Sequence, residues 1–325
     1  MSQLRLNPLT GRWVTVAIER SARPVDFARR SAAVESGPSR PCPFCPGNEE
    51  ATLPAAETYG PEGNWLVRVV PNLYPAFSGD DALTVEHLGP VFTQARASGA
   101  HEVLVFSPDH DSGWTDLDDR HAGLVMAALR DRVEEHARHP HIRYTQAIVN
   151  HGREAGASLA HPHGQLLAMP FVPGELAEEL AGFTRFGEAC LLCTTAEAEV
   201  AAGHRVVQAD DRVVTVAPFW SGSPFEMLLL PVQHEPHLTH ADPRDLAAAG
   251  RALRDALVRL RRTLGDVAYN IVFHTAPHHQ RDAGYHWHIH VIPRVTSAAG
   301  FEQGTGVLIN IVAPELAAQA LAATD

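Results

Sequence analysis

The sequence predicts an α+β fold of two repeated units, antiparallel sheets with flanking helices, on three observations. Two Cys-x-x-Cys pairs, Cys42/Cys45 and Cys190/Cys193, stand one in each half of the 325 residues. Each is followed by an apolar run that goes from glutamate to histidine in eight steps, residues 102–110 and 226–234. Each half then closes on a histidine cluster, His161-Pro162-His163 and His286-Trp287-His288-Ile289-His290. His110 to His161 spans 51 positions and His234 to His286 spans 52. Order, residue type and spacing kept together mark a duplication.

Taken in order, the apolar runs read as buried strands, having no helical period. Residues 117–137 and 246–264 carry Leu/Val/Ala at helical spacing and predict one long helix per half. Residues 144–149 and 267–273 are rich in strand-favouring side chains and predict the strand that precedes each histidine cluster. The first half is longer between its cysteines and its run, which places an insertion at the Gly/Ser/Asp-rich residues 77–98. Pro170 and Pro173 interrupt regular structure between the halves. The expected domains are therefore 1–170 and 171–325, and strands pairing with near neighbours imply antiparallel sheet.

Apolar content of 45% and charged content of 20% belong to a globular protein with enough chain for two cores. No stretch reaches the ~18–20 apolar residues of a membrane span. The start of the chain lacks a basic and then apolar leader, so the expectation is a cytoplasmic protein. A net charge of −12 argues against sequence-independent nucleic-acid binding. All 26 basic side chains other than histidine are arginine, which excludes a P-loop and lysyl-nucleotide chemistry while leaving phosphate binding open.

Four cysteines in two pairs point to metal in a reducing compartment. Cys42, Cys45, His110 and His161 make one candidate Zn²⁺ set, two thiolates on a tight knuckle and two distant imidazoles completing a tetrahedron. Cys190, Cys193, His234 and His286 repeat it. Four protein ligands leave no open position, so both sites would be structural. In the extended run His161-Pro162-His163-Gly164-Gln165, side chains two apart share a face. His161 can hold metal while His163 and Gln165 face a ligand. A neutral imidazole is a good nucleophile toward phosphorus and leaves again readily. Upstream, Gly156 and Gly164 allow the backbone close to phosphate, and Ser158 supplies a donor. His101, His136, His139, His141, His237 and His240 fall at no repeated position and read as solvated or capping residues. Trp13, Trp65 and Trp220 read as core.

These motifs resemble the galactose-1-phosphate uridylyltransferase family, the transferase branch of the histidine-triad superfamily. The resemblance rests on Leu6-Asn7-Pro8-Leu9-Thr10-Gly11-Arg12-Trp13-Val14, Arg20-Ser21-Ala22-Arg23-Pro24, Ser107-Pro108-Asp109-His110, the His161–Gln165 run and residues 224–231. It implies a duplicated histidine-triad-like fold and a homodimer with shared sites. It makes His163 the residue that is uridylylated and sets Gln165 against the transferred phosphoryl group. Arg20, Arg23, Asn72, Asn150, Gly156 and Ser158 then go to the nucleotide and its phosphates, and Gln303 to the sugar side. Some members carry a second metal site of different make-up, matched here by Glu179, His274, His288 and His290, with iron as a candidate. Others hold a second zinc bound like the first, and the presence of Cys190 and Cys193 favours that second zinc.

The resemblance implies ping-pong transfer of UMP from UDP-glucose to galactose 1-phosphate. The hydrolytic branch has histidine where Gln165 stands, and a glutamine cannot relay protons to water. The match weakens at residues 300–310, Gly-Phe-Glu-Gln-Gly-Thr-Gly-Val-Leu-Ile-Asn, where familiar members have a lysine-containing segment. This variant looks like relatives that include ADP-glucose phosphorylases, whose acceptor is phosphate. That reading, a histidine-triad hydrolase and a non-catalytic, zinc-stabilised nucleotide-binding protein stand as alternatives. A plain Gly-rich turn closing the last sheet is the bland reading of the segment.

Overall fold

The computed structural model describes residues 2–19, 41–280 and 284–323. In chain order, β1 (Gln3–Leu6) and β2 (Trp13–Val16) pair antiparallel. β3 (Glu57–Tyr59) and β4 (Val67–Pro71) follow the first cysteine pair. β5 (Val85–His87) and β6 (Thr93–Ala95) form a fully exposed hairpin within the expected insertion. Then come β7 (Ala100–Val105), α1 (Asp119–Ala137), β8 (Tyr144–His151) and β9 (His163–Met169). The second half contributes α2 (Gly174–Phe186), α3 (Leu191–Ala202), β10 (Val206–Ala209), β11 (Val213–Val216) and β12 (Met227–Pro231). It ends with α4 (Pro243–Leu264), β13 (Tyr269–His274), β14 (His288–Pro293), α5 (Gly300–Thr305), β15 (Leu308–Asn310) and α6 (Pro314–Ala322).

Among the described residues ten strands make one antiparallel sheet in the order β10-β11-β12-β14-β13-β8-β9-β7-β4-β3. Read from either edge inward, the order is the same with β3 matched to β10, β4 to β11, β7 to β12, β9 to β14 and β8 to β13. The duplication is thus written into the topology. The matched strands β8 and β13 pair at the centre, Asn150 opposite Asn270.

Both long helices lie on one face. Asp118 caps α1 by accepting from the His121 amide (2.7 Å), and Asp242 caps α4 ahead of Pro243. The helices cross closely: a Cβ on Gly250 of α4 would stand 2.7 Å from the Ala122 carbonyl of α1. Beneath them Leu104, Leu166, Leu229, Ile271 and Ile289 are all 1% exposed or less. Each such side chain removed from water stabilises the fold by ~1.5–3 kcal/mol. The opposite face of the second half is covered by α2, α3 and a small sheet of β1, β2 and β15. Neither α2 nor α3 was expected. The Ala/Thr-rich α3 has almost no apolar stripe to betray it.

The apolar runs are shorter as strands than they read. β7 stops at Val105 because Ser107-Pro108-Asp109 turns away to carry His110 to the cysteines. Glu226 precedes β12, in a turn where Phe225 takes φ of 61°. Residues 300–310 form α5 and then β15, parallel to β2 in the small sheet, instead of a plain turn. Among the described residues no helix is long and apolar enough to cross a membrane.

Candidate active site and metal clusters

The nucleophile candidate sits on β9 between β7 and β8. Leu166 enters the core under α1 and α4, and Gly164 backs onto the Phe106 ring. Alternation therefore turns His163 and Gln165 to the opposite face. His163 is 7% exposed, with the Phe44 ring 5.4 Å away. Its Nδ1–H donates to the His161 carbonyl at 2.8 Å, which leaves Nε2 with its lone pair. Burial lowers its pKa, against the opposing pull of that carbonyl, and keeps the ring neutral. A neutral imidazole of fixed tautomer with one free nitrogen can attack phosphorus.

One step beyond the Val149–Gly164 pair, antiparallel register carries Asn150 opposite His163. Its Oδ1 accepts from Asn270 Nδ2 at 2.7 Å. The chain then turns through Gly152 and Gly156, at φ of 82° and 91°, a conformation that glycine adopts without strain. Ser158 is exposed beyond the turn. On the other side, Asn72 and Gln165 both reach His101: Asn72 Nδ2 at 3.3 Å and Gln165 Oε1 at 2.9 Å from His101 Nε2. The structure so gathers Asn72, Asn150, His163 and Gln165 on one face. Gln303 lies exposed on α5 with its amide on the Ala298 carbonyl (3.4 Å). No hydrogen bond or cavity among the described residues joins it to His163. Arg20 and Arg23 lie outside the described residues.

His101 is a residue the sequence reading assigned wrongly to solvent. It is half-buried, between two candidate ligand-binding side chains. Counting parity from Glu102 would have found it. Glu102 faces α1, where Arg132 Nε donates to it at 2.9 Å, so His101 must face the site. His136 is likewise buried at 4%, with Nε2 3.3 Å from Glu102.

Among the described residues three clusters could hold metal, and in each the ligand atoms lie within 4.8 Å of one another. In the first, His161 Nδ1 is 3.6 Å from Cys42 Sγ and 3.7 Å from Cys45 Sγ, and His110 Nδ1 is 3.3 Å from Cys45 Sγ. In the second, His286 Nδ1 is 3.6 and 3.4 Å from Cys190 and Cys193, and His234 Nδ1 is 3.6 Å from Cys193. A tetrahedral zinc with bonds of about 2.3 Å to S and 2.0 Å to N holds S and N about 3.5 Å apart. Both donor sets fit. Burial and the Cys42 sulfur push the Cys45 thiol up to about 11, so two thiolates stand together only against a cation. His161 Nε2–H donates to the Ser107 carbonyl at 2.8 Å, which fixes Nδ1 as the ligand atom.

The third cluster is Glu179, His274, His288 and His290. The sequence reading set it as an alternative to the second zinc; the structure gathers both. The reason is spatial: His286 points to the cysteines, while His288 and His290 face Glu179 on α2 and His274 on β13. Burial raises the Glu179 carboxyl, but the three imidazoles outweigh it and hold it well below its usual range. Among the described residues His288 Nε2 and His290 Nε2 are buried without a hydrogen-bond partner. Orphaned nitrogens facing a carboxylate suit a cation.

A cavity of about 710 Å³ opens beside this cluster, between β13, β14 and the small sheet, with Trp13, Trp220, Glu226 and His290 in its wall. Trp220 is core as expected, but Trp13 is 50% exposed at the cavity and Trp65 is only half-buried. His163 does not line this cavity. The reactive tautomer, not the size of the cavity, singles out the face of β9.

The family model described as galactose-1-phosphate uridyl transferase, N-terminal domain, matches residues 1–173. A second, described as a domain of unknown function (DUF4921), matches residues 109–323. An ADP-glucose phosphorylase of Arabidopsis thaliana is 33% identical over 320 residues, 96% of this chain and 90% of the relative. A galactose-1-phosphate uridylyltransferase of Thermotoga maritima is 27% identical over 338 residues, covering 100% and 99%. The crystal structure of an ADP-glucose phosphorylase from Arabidopsis thaliana with bound ADP-glucose is similar with a TM-score of 0.85 at 30% identity, covering 100% of both chains.

Proposed function

We propose, since this chain belongs to the galactose-1-phosphate uridyl transferase family and is a nucleotidyltransferase, that it transfers AMP from ADP-glucose to inorganic phosphate through His163. The single observation that carries the choice of substrates is the 33% identity to an ADP-glucose phosphorylase across 96% of the chain. The lysine-free segment 300–310 supports it. The sequence reading put UDP-glucose and galactose 1-phosphate first, and the comparisons move the preference. Transfer of UMP remains the second reading, favoured by the uridylyltransferase relative of equal length.

In the first half-reaction His163 Nε2 attacks the α-phosphorus. The phosphorus–nitrogen bond forms as the bond to the bridging oxygen breaks, and that oxygen leaves on glucose 1-phosphate. In the second, a phosphate oxygen attacks the same phosphorus, the phosphorus–nitrogen bond breaks, and ADP leaves. Asn150, the Gly156 turn, Ser158 and Gln165 would hold the nonbridging oxygens, with Arg20 and Arg23 toward the phosphates and Asn72 toward the nucleotide. Nδ1 keeps its proton on the His161 carbonyl throughout, so the developing imidazolium is stabilised at a defined atom.

Zinc at the two Cys₂His₂ sets would be structural, and metal at the third cluster, held from α2, β13 and β14, would be separated from His163 on β9 by β8. We read residues 1–170 and 171–325 as two copies of one histidine-triad-like unit, the first keeping the nucleophile. A homodimer would bring Gln303 of one chain toward the sugar side of the other. The test is to incubate the protein separately with ADP-glucose and UDP-glucose, quench in alkali and weigh the peptide bearing His163. The expected result is an adenylyl adduct that phosphate chases to ADP. A uridylyl adduct chased by galactose 1-phosphate selects the second reading, and no adduct with either donor overturns both.

A further inference from the structure

We propose that His101 is the positioning residue that aims the Gln165 amide, by fixing which end of it faces the reacting phosphoryl group. The role given to Gln165 rests on the transfer through His163 argued above. The orientation itself rests on three hydrogen-bonding contacts and the alternation of β7.

The two ends of a glutamine amide have nearly the same shape but opposite hydrogen-bonding character, so direction must come from a neighbour. Here it can be traced to the backbone, which has no such ambiguity. The Ala76 amide N–H donates to His101 Nδ1 at 3.1 Å. A proton on Nδ1 would meet that N–H head on, so Nδ1 carries the lone pair and Nε2 carries the hydrogen. His101 Nε2 is 2.9 Å from Gln165 Oε1, and with its hydrogen fixed it donates there. The oxygen end of Gln165 is then occupied, and the NH₂ end is the one left to donate to an anion.

Asn72 does not compete for that hydrogen. Its Oδ1 accepts from the Tyr74 amide at 2.9 Å, which leaves its Nδ2 toward His101 at 3.3 Å. A donor there cannot bond the Nε2–H, so that hydrogen goes to Gln165. In the strand ladder Val103 of β7 pairs with Gln165 and His101 pairs with Leu167, so His101 reaches Gln165 on the diagonal of one face. A reversed Gln165 would turn its own oxygen toward a phosphoryl oxygen, replacing an attraction by a repulsion at the atom where charge develops. Removing one such donor outright costs about 10²–10³-fold in rate, and freeing it to flip costs less.

The test combines kinetics and the tautomer. His101→Phe keeps a ring and removes both nitrogens; His101→Gln restores a donor within reach of Gln165. The rate of adduct formation on His163 in a single turnover should fall by on the order of 10–100-fold in His101→Phe, with little change in KM for the nucleotide sugar. His101→Gln should recover most of it. In a Gln165→Ala background, His101→Phe should cost nothing further, because the residue acts through Gln165. Additive losses, or a loss confined to KM or to thermal stability, would overturn the proposal. Independently of any activity, ¹⁵N spectra of histidine-labelled protein, with the His101 signals identified by their absence in His101→Phe, should show Nε2 protonated and Nδ1 not. The opposite tautomer refutes the orientation. Failure of wild-type protein to form any adduct would instead count against the transfer reading, and the spectra would still decide the geometry.

Discussion

Asn270 of β13 donates from Nδ2 to Asn150 Oδ1 at 2.7 Å, across the seam where the two half-sheets meet. The same NH₂ group donates to the Ala155 carbonyl at 2.9 Å, and Asn270 Oδ1 accepts from Arg294 Nε at 2.5 Å. Asn270 is 8% exposed and fully bonded. The second half of the chain so holds a candidate binding residue, and the glycine turn beside it, of the first.

Replacing Asn270 by alanine should therefore raise KM for the nucleotide sugar by about tenfold, since an unanchored Asn150 loses about 1.4 kcal/mol of orientation. Left without a partner, the Ala155 carbonyl and Asn150 should cost stability of about 1–3 kcal/mol. Steady-state kinetics with urea unfolding check both. Unchanged KM would mean that Asn150 does not face the ligand.

This contact shows what the sequence could not display. The duplication and the two cysteine–histidine sets were legible because order, residue type and spacing repeat along the chain, and the facing of His163 because it depends only on alternation along one strand. Asn270 was not, because its importance arises only when β13 pairs with β8. His101 was missed for a different reason: as a lone histidine it had no counterpart in the second half, and its parity relative to Glu102 went uncounted. The two second-metal sets read as alternatives because the sequence does not show that His286, just before β14, reaches the cysteines while His288 and His290 on the strand meet Glu179.

Glu102 offers a test in pH. Burial raises its carboxyl, but hydrogen bonds and charge from His136 and Arg132 win and hold it down at about 2, against a usual 4.5. A depressed folded pKa means that the unfolded chain takes up the proton first as pH falls. The stabilisation is full above pH 4.5, shrinks below it and is gone under about 2; at neutral pH it is worth about 3 kcal/mol. The stability gap between wild type and Glu102→Gln, measured by urea titration, should thus be wide at pH 7 and narrow at pH 3. A gap constant over that range would disprove the assignment.

Gly182 of α2 sets two magnitudes against each other. Alanine is the better helix former by about 1 kcal/mol. Its Cβ, however, would stand 2.0 Å from the Leu9 carbonyl oxygen, a backbone atom of the link between β1 and β2. Overpacking against a backbone costs about 1–3 kcal/mol and often more. Gly182→Ala should lower stability, whereas Gly174→Ala, with open space at the start of the same helix, should not. A stabilised Gly182→Ala would show that α2 packs farther from Leu9.

The three metal clusters predict a count. If each Cys₂His₂ set holds zinc and the Glu179 set a further cation, single substitutions should remove one equivalent each from the purified protein. Cys42→Ser should lose zinc and activity together, because His161 is a ligand of that set and also accepts, through its carbonyl, the His163 Nδ1–H. Cys190→Ser should lose zinc and lower the Tm by on the order of 10 °C, as removal of a buried structural ion would, while the folded fraction still labels at His163. Glu179→Ala should leave zinc at the cysteines and empty the histidine set, whose carboxylate and imidazole donors are of types that both iron(II) and zinc use. Elemental analysis of the three variants against wild type decides it. A Cys190→Ser protein with unaltered metal content and Tm would remove the second zinc, and an unaltered count in Glu179→Ala would leave the orphaned nitrogens of His288 and His290 to be explained by water.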